Sequence, residues 1–291
     1  MIISASYRTD IPAFYGEWFL RRLNAGFCKV VNPYNGIVYD VSLRSSDVDG
    51  FVFWTRNAQP FLPALREVAR RGDPFVVQYT ITGYPRELDT RVIDAGVAIE
   101  TARRIAGEYG SHAVVWRYDP VLISSLTLPQ FHIANFERIA RGLAGDVNEV
   151  VISLAQIYRK TERNLNRAAR EADLTWQDPS IEVKHGLVRE LSRCAAANGM
   201  DLTVCSQPEF TGEGIGEARC VDAERLSRIG GRPITAKLKG NRPACGCYES
   251  RDIGDYDTCP HGCVYCYAVR DREAALRAWK AHDPGSETLA R

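Results

Sequence analysis

Residues 51–82, FVFWTRNAQPFLPALREVARRGDPFVVQYTIT, contain the pattern that decides the fold. A short run of aromatic and β-branched residues comes first, as is typical of a strand. Residues 61–69 then place Phe, Leu, Val and Ala at positions i, i+4, i+7 and i+8 of one helix face. A second strand-like run begins at Phe75. Strand, helix and strand in this order predict two parallel strands joined by a right-handed crossover.

The same alternation extends over residues 1–206. Six short segments rich in Val, Ile or aromatic residues are predicted strands, namely 2–6, 51–55, 75–82, 113–118, 149–154 and 201–206. Amphipathic helix patterns separate them, so we expect an α/β body with a parallel sheet, either open or closed into a barrel. Residues 27–43 depart from the repeat and predict a β-hairpin insertion around Asn35-Gly36, a dipeptide suited to a tight turn.

Polar side chains follow several of the predicted strands. Thr9 and Asp10 follow the first strand, Thr80 lies in the third, and Arg117 and Asp119 end the fourth. Ligands of parallel α/β folds bind where the carboxyl ends of the strands meet, so we expect these residues to line a pocket. Asp10 also has the position of an N-cap residue for the helix that follows.

The composition is that of a folded globular protein, with 291 residues of which 45% are apolar and 25% charged. The 37 Lys and Arg against 36 Asp and Glu give a net charge of +1, which argues against a broad contact with nucleic-acid backbone. No apolar run reaches the roughly 18 residues of a membrane span, so no membrane partner is expected. No secretory signal is recognisable, so we expect a cytoplasmic protein whose thiols stay reduced.

The nine cysteines are unevenly distributed. Only Cys28 and Cys194 lie in the first 200 residues, and the other seven lie between residues 205 and 266. An odd count argues against a closed disulfide framework, and clustered thiols in a reducing compartment bind metal or do redox chemistry. We therefore expect residues 207–291 to form a Cys-rich metal-binding tail packed on the mouth of the body formed by residues 1–206.

The sharpest motif is C-x3-C-x2-C, formed by Cys259, Cys263 and Cys266 in the string CPHGCVYC. Three thiolates on one compact loop can hold three corners of a cubic iron–sulfur cluster. The fourth iron then has no protein ligand and can bind a substrate or a cofactor, whereas a closed four-Cys site only stores or passes electrons.

C-x3-C-x2-C with an aromatic residue, Tyr265, before its last Cys resembles the signature of the radical SAM superfamily. The longer string CPHGCVYCYA, residues 259–268, resembles the motif of the spore photoproduct lyase-like branch, and WRYDP, residues 116–120, resembles the R-x-D-P strand end of that branch. The whole chain also resembles an uncharacterised bacterial and archaeal family, a domain of unknown function, which begins near ISASRRTDIP and ends in a Cys-rich tail.

The resemblance implies a partial (β/α)6 TIM-like barrel that is circularly permuted. In radical SAM enzymes the Cys motif follows the first strand near the N-terminus, whereas here it lies near the C-terminus. We therefore expect strand 201–206 to be the structural first strand, with strand 2–6 as the second. Cys259, Cys263 and Cys266 would hold a [4Fe–4S] cluster that reductively cleaves S-adenosylmethionine (SAM) to a 5′-deoxyadenosyl radical, which abstracts hydrogen from an unknown substrate.

The resemblance also suggests roles for individual residues. Tyr265 would approach the adenine through its backbone, and Thr9, Asp10 and Thr80 are candidate contacts to SAM or substrate. Arg117, with a guanidinium suited to a carboxylate, and Asp119, which would fix its loop, are the candidate catalytic residues. The substrate would be a small molecule or a nucleotide, and a reductase, flavodoxin or ferredoxin would supply the electron.

Four further cysteines, Cys205, Cys220, Cys245 and Cys247, have the right number for an auxiliary iron–sulfur cluster or a structural zinc ion. Their spacing, C-x14-C-x24-C-x-C, is not that of a zinc ribbon. The likeness to radical SAM enzymes favours iron–sulfur, and zinc remains open. The alternative for Cys205 alone is burial as a small apolar residue.

Two other functions stay open from the sequence. The unusual motif position leaves room for an iron–sulfur protein without SAM, which transfers electrons or binds a substrate directly at an open iron. A nucleic-acid repair factor is suggested by the photoproduct lyase likeness and by Trp54, Tyr79 and Tyr118 near strand ends. The net charge of +1 does not indicate a general DNA binder, although a pocket for one extruded nucleotide needs less charge.

Overall fold

The computed structural model describes residues 1–240 and 242–289. Within these ranges there are nine α-helices and twelve strands. The helices are α1 Ile11–Phe14, α2 Gly16–Ala25, α3 Leu62–Arg70, α4 Ala95–Tyr109, α5 Pro129–Leu143, α6 Arg159–Ala172, α7 Ile181–Ala197, α8 Ala223–Gly230 and α9 Arg272–Lys280. The strands are β1 Ile2–Ala5, β2 Phe27–Val31, β3 Val38–Ser42, β4 Gly50–Thr55, β5 Phe75–Thr80, β6 Val114–Val121, β7 Ile123–Ser124, β8 Glu149–Leu154, β9 Trp176–Gln177, β10 Asp201–Val204, β11 Gly216–Glu217 and β12 Ser250–Asp252.

Eight strands form one sheet in the order β11-β10-β8-β6-β5-β4-β1-β12, and every neighbouring pair is parallel. The α/β class and the six predicted strands are confirmed, the latter as β1, β4, β5, β6, β8 and β10. Sheet order follows chain order from β1 to β10, because each crossover adds the next strand on the same side. The predicted hairpin forms from β2 and β3, which pair antiparallel, and β7 pairs with β9.

The expectation that strand 201–206 lies beside strand 2–6 is wrong. The observed strand, β10, pairs with β8 and with β11, whereas the neighbours of β1 are β4 and β12. In the described part of the chain the two outermost strands, β11 and β12, do not pair with each other, so the sheet is not a closed barrel. Sequence pattern missed β12 because its three residues, SRD, carry no apolar signal.

The two faces of the sheet are covered differently, because successive strand residues point to opposite sides. Helices α2 to α7 pack on one face, which contains the large aromatic core with Phe53, Tyr79 and Trp116. The chain after β10 covers the other face, where Leu226 of α8 packs on a row of buried valines. These are Val52, Val76, Val115 and Val151. None of the helices in residues 1–240 and 242–289 combines the length and apolar character required to cross a membrane.

Candidate metal centre at the carboxyl edge of the sheet

The segment Cys259 to Cys266, called the cysteine loop below, lies at the carboxyl edge of the sheet. It follows β12, and because β12 is parallel to β1, the loop leaves the sheet where β1, β4 and β5 also end. Two backbone hydrogen bonds tie it to the chain after β5. The Val264 N–H donates to the Leu88 carbonyl at 3.0 Å, and the Arg91 N–H donates to the His261 carbonyl at 2.9 Å.

Asp252, the last residue of β12, joins this strand to β1. The hydroxyls of Ser4 and Ser6 each donate to its carboxylate at 2.7 Å. The backbone N–H groups of Tyr7 and Gly254 donate at 3.1 and 3.0 Å. Asp252 is buried, so its charge depends on these donors instead of water. The junction therefore determines where the cysteine loop begins.

Arg56, which follows β4, holds the middle of the cysteine loop. Its Nη1 lies 3.2 Å from Cys263 Sγ and donates to the Tyr265 hydroxyl at 2.7 Å. Its Nη2 donates to Asp89 at 2.8 Å and also to Thr82. Tyr265 in turn donates to Asp89 at 2.6 Å. Burial raises the pKa of the Cys263 thiol, and the guanidinium acts in the opposite direction by favouring a thiolate.

Backbone N–H groups lower the pKa of Cys259 and of Cys266, against the effect of burial. Those that act on Cys259 belong to His261 and Asp10, and those that act on Cys266 belong to Ala268 and Val269. Burial nevertheless raises the pKa of Cys259 to about 12, so the free thiol is protonated near neutral pH. All three sulfurs of the loop thus face N–H groups, which stabilise a cysteine once it is deprotonated.

Asp10 caps a helix, as considered from the sequence, and also contacts the cysteine loop. Its Oδ1 accepts the N–H of Ala13 at 2.9 Å and caps α1. Its Oδ2 accepts the backbone N–H of Arg56 and the Nε2 of His261, both at 2.7 Å. Thr9 beside it is buried, and within residues 1–240 and 242–289 its hydroxyl has no hydrogen-bond partner.

Arg117 and Asp119 do not contact the cysteine loop. Arg117 is buried, its Nε donates to Asp119 at 3.1 Å, and its Nη1 donates to Gln78 at 3.2 Å and lies 2.9 Å from Cys220 Sγ. Thr80, at the end of β5, is the register partner of Arg117 and is partly exposed. These three residues therefore lie towards a different set of cysteines.

That set, called the four-cysteine group below, consists of Cys205, Cys220, Cys245 and Cys247. The sulfurs of Cys205 and Cys220 are 3.7 Å apart. Cys247 is hydrogen-bonded through its side chain to Cys220 and to Cys245. The group is assembled on the face of the sheet opposite the large aromatic core, beside the row of valines.

Both cysteine groups have the donor chemistry of thiolate metal sites. Among the residues that the structure describes, no group of three or more His, Cys, Asp or Glu side chains is arranged so that it could hold a metal ion. The sulfurs nevertheless face N–H and guanidinium groups, and cysteine ligands must lose their protons when a metal binds. The chemistry of the donors, although not the present arrangement of the side chains, is therefore that of a thiolate-held group in each place.

Arg56, Asp89 and Asp252 were not among the residues singled out from the sequence. Arg56 follows a strand. Polar residues at such positions were noted in general, but nothing in the sequence marked Arg56 as a site residue. Asp89 lies in a stretch without periodicity, and Asp252 lies in a strand that the apolar pattern does not reveal. Only the fold brings these residues to the loop.

The comparisons with known proteins identify a family and a distant structural likeness. The family model "Domain of unknown function (DUF1848)" matches residues 2–268. The comparison with curated proteins returned no match. Among the solved structures that match, a crystal structure of D-hydantoinase is similar at 9% identity with a TM-score of 0.33. The match covers 78% of this chain and 43% of the hydantoinase chain, so this chain spans less than half of that protein.

Proposed function

The chain belongs to the DUF1848 family, and we propose that it is an iron–sulfur enzyme of the radical SAM type. In this proposal Cys259, Cys263 and Cys266 hold a [4Fe–4S] cluster, and SAM is the cofactor that reacts there. The substrate is a small molecule or a nucleotide bound at the same edge of the sheet, and a reductase, flavodoxin or ferredoxin is the electron donor.

The observation that carries the proposal is the position of the cysteine loop. The loop follows β12, an edge strand that pairs in parallel with β1, so it starts at the carboxyl edge of the sheet. Parallel sheets bind their ligands at this edge. A three-cysteine loop there can offer one open iron to a ligand that binds at this edge.

The strand order supports the circular permutation in a corrected form. If β12 is taken as the first strand, the sheet continues through β1, β4, β5, β6, β8 and β10 in chain order. The Cys motif then follows the first strand, as it does in the superfamily that the motif resembles. In this proposal the sheet is a permuted version of the superfamily's partial (β/α) barrel, with β12 in the place first given to β10.

The chain's own residues bind and orient the group. When bound and reduced, such a cluster supplies the electron that cleaves SAM to methionine and the 5′-deoxyadenosyl radical. Arg56 and the backbone N–H groups at Cys259 and Cys266 stabilise the three thiolates. The Asp10 carboxylate holds His261, and Tyr265 is fixed by Asp89, so the loop is held on both sides of Cys263.

The test is anaerobic reconstitution of the full chain with iron and sulfide. We expect about four irons and four sulfides bound at the cysteine loop. The reduced protein should give an EPR spectrum that changes when SAM is added, and 5′-deoxyadenosine should form under reducing conditions. Both signals should be absent from Cys263→Ala and unchanged in Cys194→Ala, which alters a partly exposed cysteine of α7 outside both groups.

Two outcomes would contradict the proposal. If the cluster assembles but SAM alters neither the spectrum nor the products, the protein is an iron–sulfur protein without SAM chemistry. If Cys263→Ala retains all its loop iron, the assignment of the ligands is wrong.

A further inference from the structure

We propose that the four-cysteine group binds one zinc ion in a tetrahedral site made of four thiolates. This site is separate from the cysteine loop, and the inference does not depend on the radical SAM proposal. Its role is to hold the chain between β10 and β12 against the sheet.

Three distant segments of the chain meet at this site. Cys205 follows β10, Cys220 follows β11, and Cys245 and Cys247 precede β12. Backbone hydrogen bonds hold the segments together. The Ala218 N–H donates to the Val204 carbonyl at 2.9 Å, and the Tyr248 N–H donates to the Val221 carbonyl at 3.0 Å.

The spacing of the sulfurs favours two cysteines that share one metal ion over a cubic cluster. Zinc–thiolate bonds of about 2.3 Å in a tetrahedron place two sulfurs about 3.8 Å apart. The sulfurs of Cys205 and Cys220 are 3.7 Å apart. A cubic iron–sulfur cluster binds each cysteine to a different iron, which separates the sulfurs much further. The pair is therefore spaced for one shared zinc ion.

The surroundings carry charge that suits such a site. Four thiolates and one Zn²⁺ have a net charge of −2. Nη1 of Arg117 lies 2.9 Å from Cys220 Sγ, and Nη2 of Arg242 lies 3.5 Å from Cys205 Sγ. The Val221 N–H donates to Cys247 Sγ at 3.4 Å. Guanidinium and N–H groups that face the sulfurs stabilise the thiolates of a metal site and fix their orientation.

The local fold gives a reason for a metal. Between β10 and β12 the described chain contains only three short regular elements, the 3-10 helix Pro208–Phe210, β11 and α8. A stretch of this length without much regular structure needs another source of order. Cys205, Cys220 and Cys247 are buried there beside the row of valines. Ligand bonds to a metal can supply the folding free energy that so small a core does not.

The experiment measures metals in the full chain, purified without added iron or zinc and again after reconstitution. We expect about one zinc ion per chain in both preparations, with X-ray absorption showing four sulfur ligands at about 2.3 Å. Cobalt substitution should give the intense visible bands of a tetrahedral thiolate site. Because these measurements use the unaltered protein, they do not depend on whether a variant folds.

Variants then locate the zinc. In Cys220→Ser and Cys245→Ser zinc should fall below about a tenth of an ion per chain, while the control Cys194→Ala keeps its zinc. Cys263→Ala should also keep it, which separates this inference from the proposed function. Three results would overturn the inference: about six or about eight irons with no zinc, a disulfide between Cys205 and Cys220, or zinc that persists in both serine variants.

Discussion

The cysteine loop and the four-cysteine group differ in how the chain assembles them. The loop carries its three cysteines within one short segment, so their spacing is visible in the sequence. The four-cysteine group takes its members from three segments and exists only once β10, β11 and β12 have joined the sheet. A local motif therefore indicates its chemistry directly, whereas a distributed group indicates it only through the fold.

Each group also has at least one arginine that the other group does not contact. Arg56 contacts Cys263 of the loop, and Arg117 contacts Cys220 of the four-cysteine group. The two guanidiniums lie on neighbouring regions of one sheet but serve different sulfurs. Substituting the two arginines one at a time should therefore affect one cysteine group at a time. Breaking the Asp252 junction between β12 and β1 should instead destabilise the whole fold.

The largest effect should come from Asp252→Ala, which removes the carboxylate that joins β12 to β1. The substitution leaves the buried hydroxyls of Ser4 and Ser6 without their acceptor, and it removes the charge partner of Arg8, whose Nε lies 3.7 Å from Asp252 Oδ1. Removing one partner from a buried charged network costs about 3–5 kcal/mol, so we expect the free energy of unfolding to fall by that amount. Denaturant titration measures it.

A matched control is Glu17→Ala, which removes an exposed carboxylate paired with Arg21. Such surface pairs contribute less than about 1 kcal/mol, so this variant should unfold almost as the parent does. Equal losses in the two variants would contradict the view that Asp252 fixes the start of the cysteine loop.

The strands that sequence analysis found share one physical property. β4, β5 and β8 are buried apolar runs, and burial is what the apolar pattern records. β12 is held by hydrogen bonds from serines to Asp252, an interaction without any periodic signal. The placement of β10 was wrong because motif order does not say which edge of a sheet a strand joins.

The candidate site, like the strands, could be predicted only where the signal is local in the sequence. The cysteine spacing and Tyr265 were visible locally, and Asp10 was found because it follows a strand. Arg56 and Asp89 were not found, because an arginine after a strand and an aspartate in an irregular stretch look the same whether or not they meet a sulfur or a tyrosine. Only the three-dimensional path from β4 past β5 brings them together.

The next largest effect should come from Arg56→Gln, which tests the loop alone. The substitution removes the guanidinium from Cys263 and releases Tyr265 and Asp89. Loss of a supporting residue typically lowers metal affinity by about tenfold to a hundredfold, so reconstituted protein should lose iron faster to a chelator. Zinc content should not change. Arg66→Gln, an exposed substitution in α3, is the control and should retain both metals.

If Arg56→Gln lowered zinc and iron together, the two cysteine groups would not be independent, and the comparison between them would fail. If Arg56→Gln lost iron to the chelator no faster than the parent, the backbone donors at Cys259 and Cys266 would be sufficient to hold the loop thiolates.

The smallest effect should come from Arg117→Gln, which tests the four-cysteine group and the alternative role of this residue. Three nitrogens of Arg117 already bind Asp119, Gln78 and Cys220, so a substrate carboxylate would have to displace one of these partners. We therefore expect zinc affinity, measured by competition with a coloured chelator, to fall by about tenfold while loop iron is unchanged. Unchanged zinc affinity together with a raised KM would instead assign Arg117 to the substrate, as its place at a strand end first suggested.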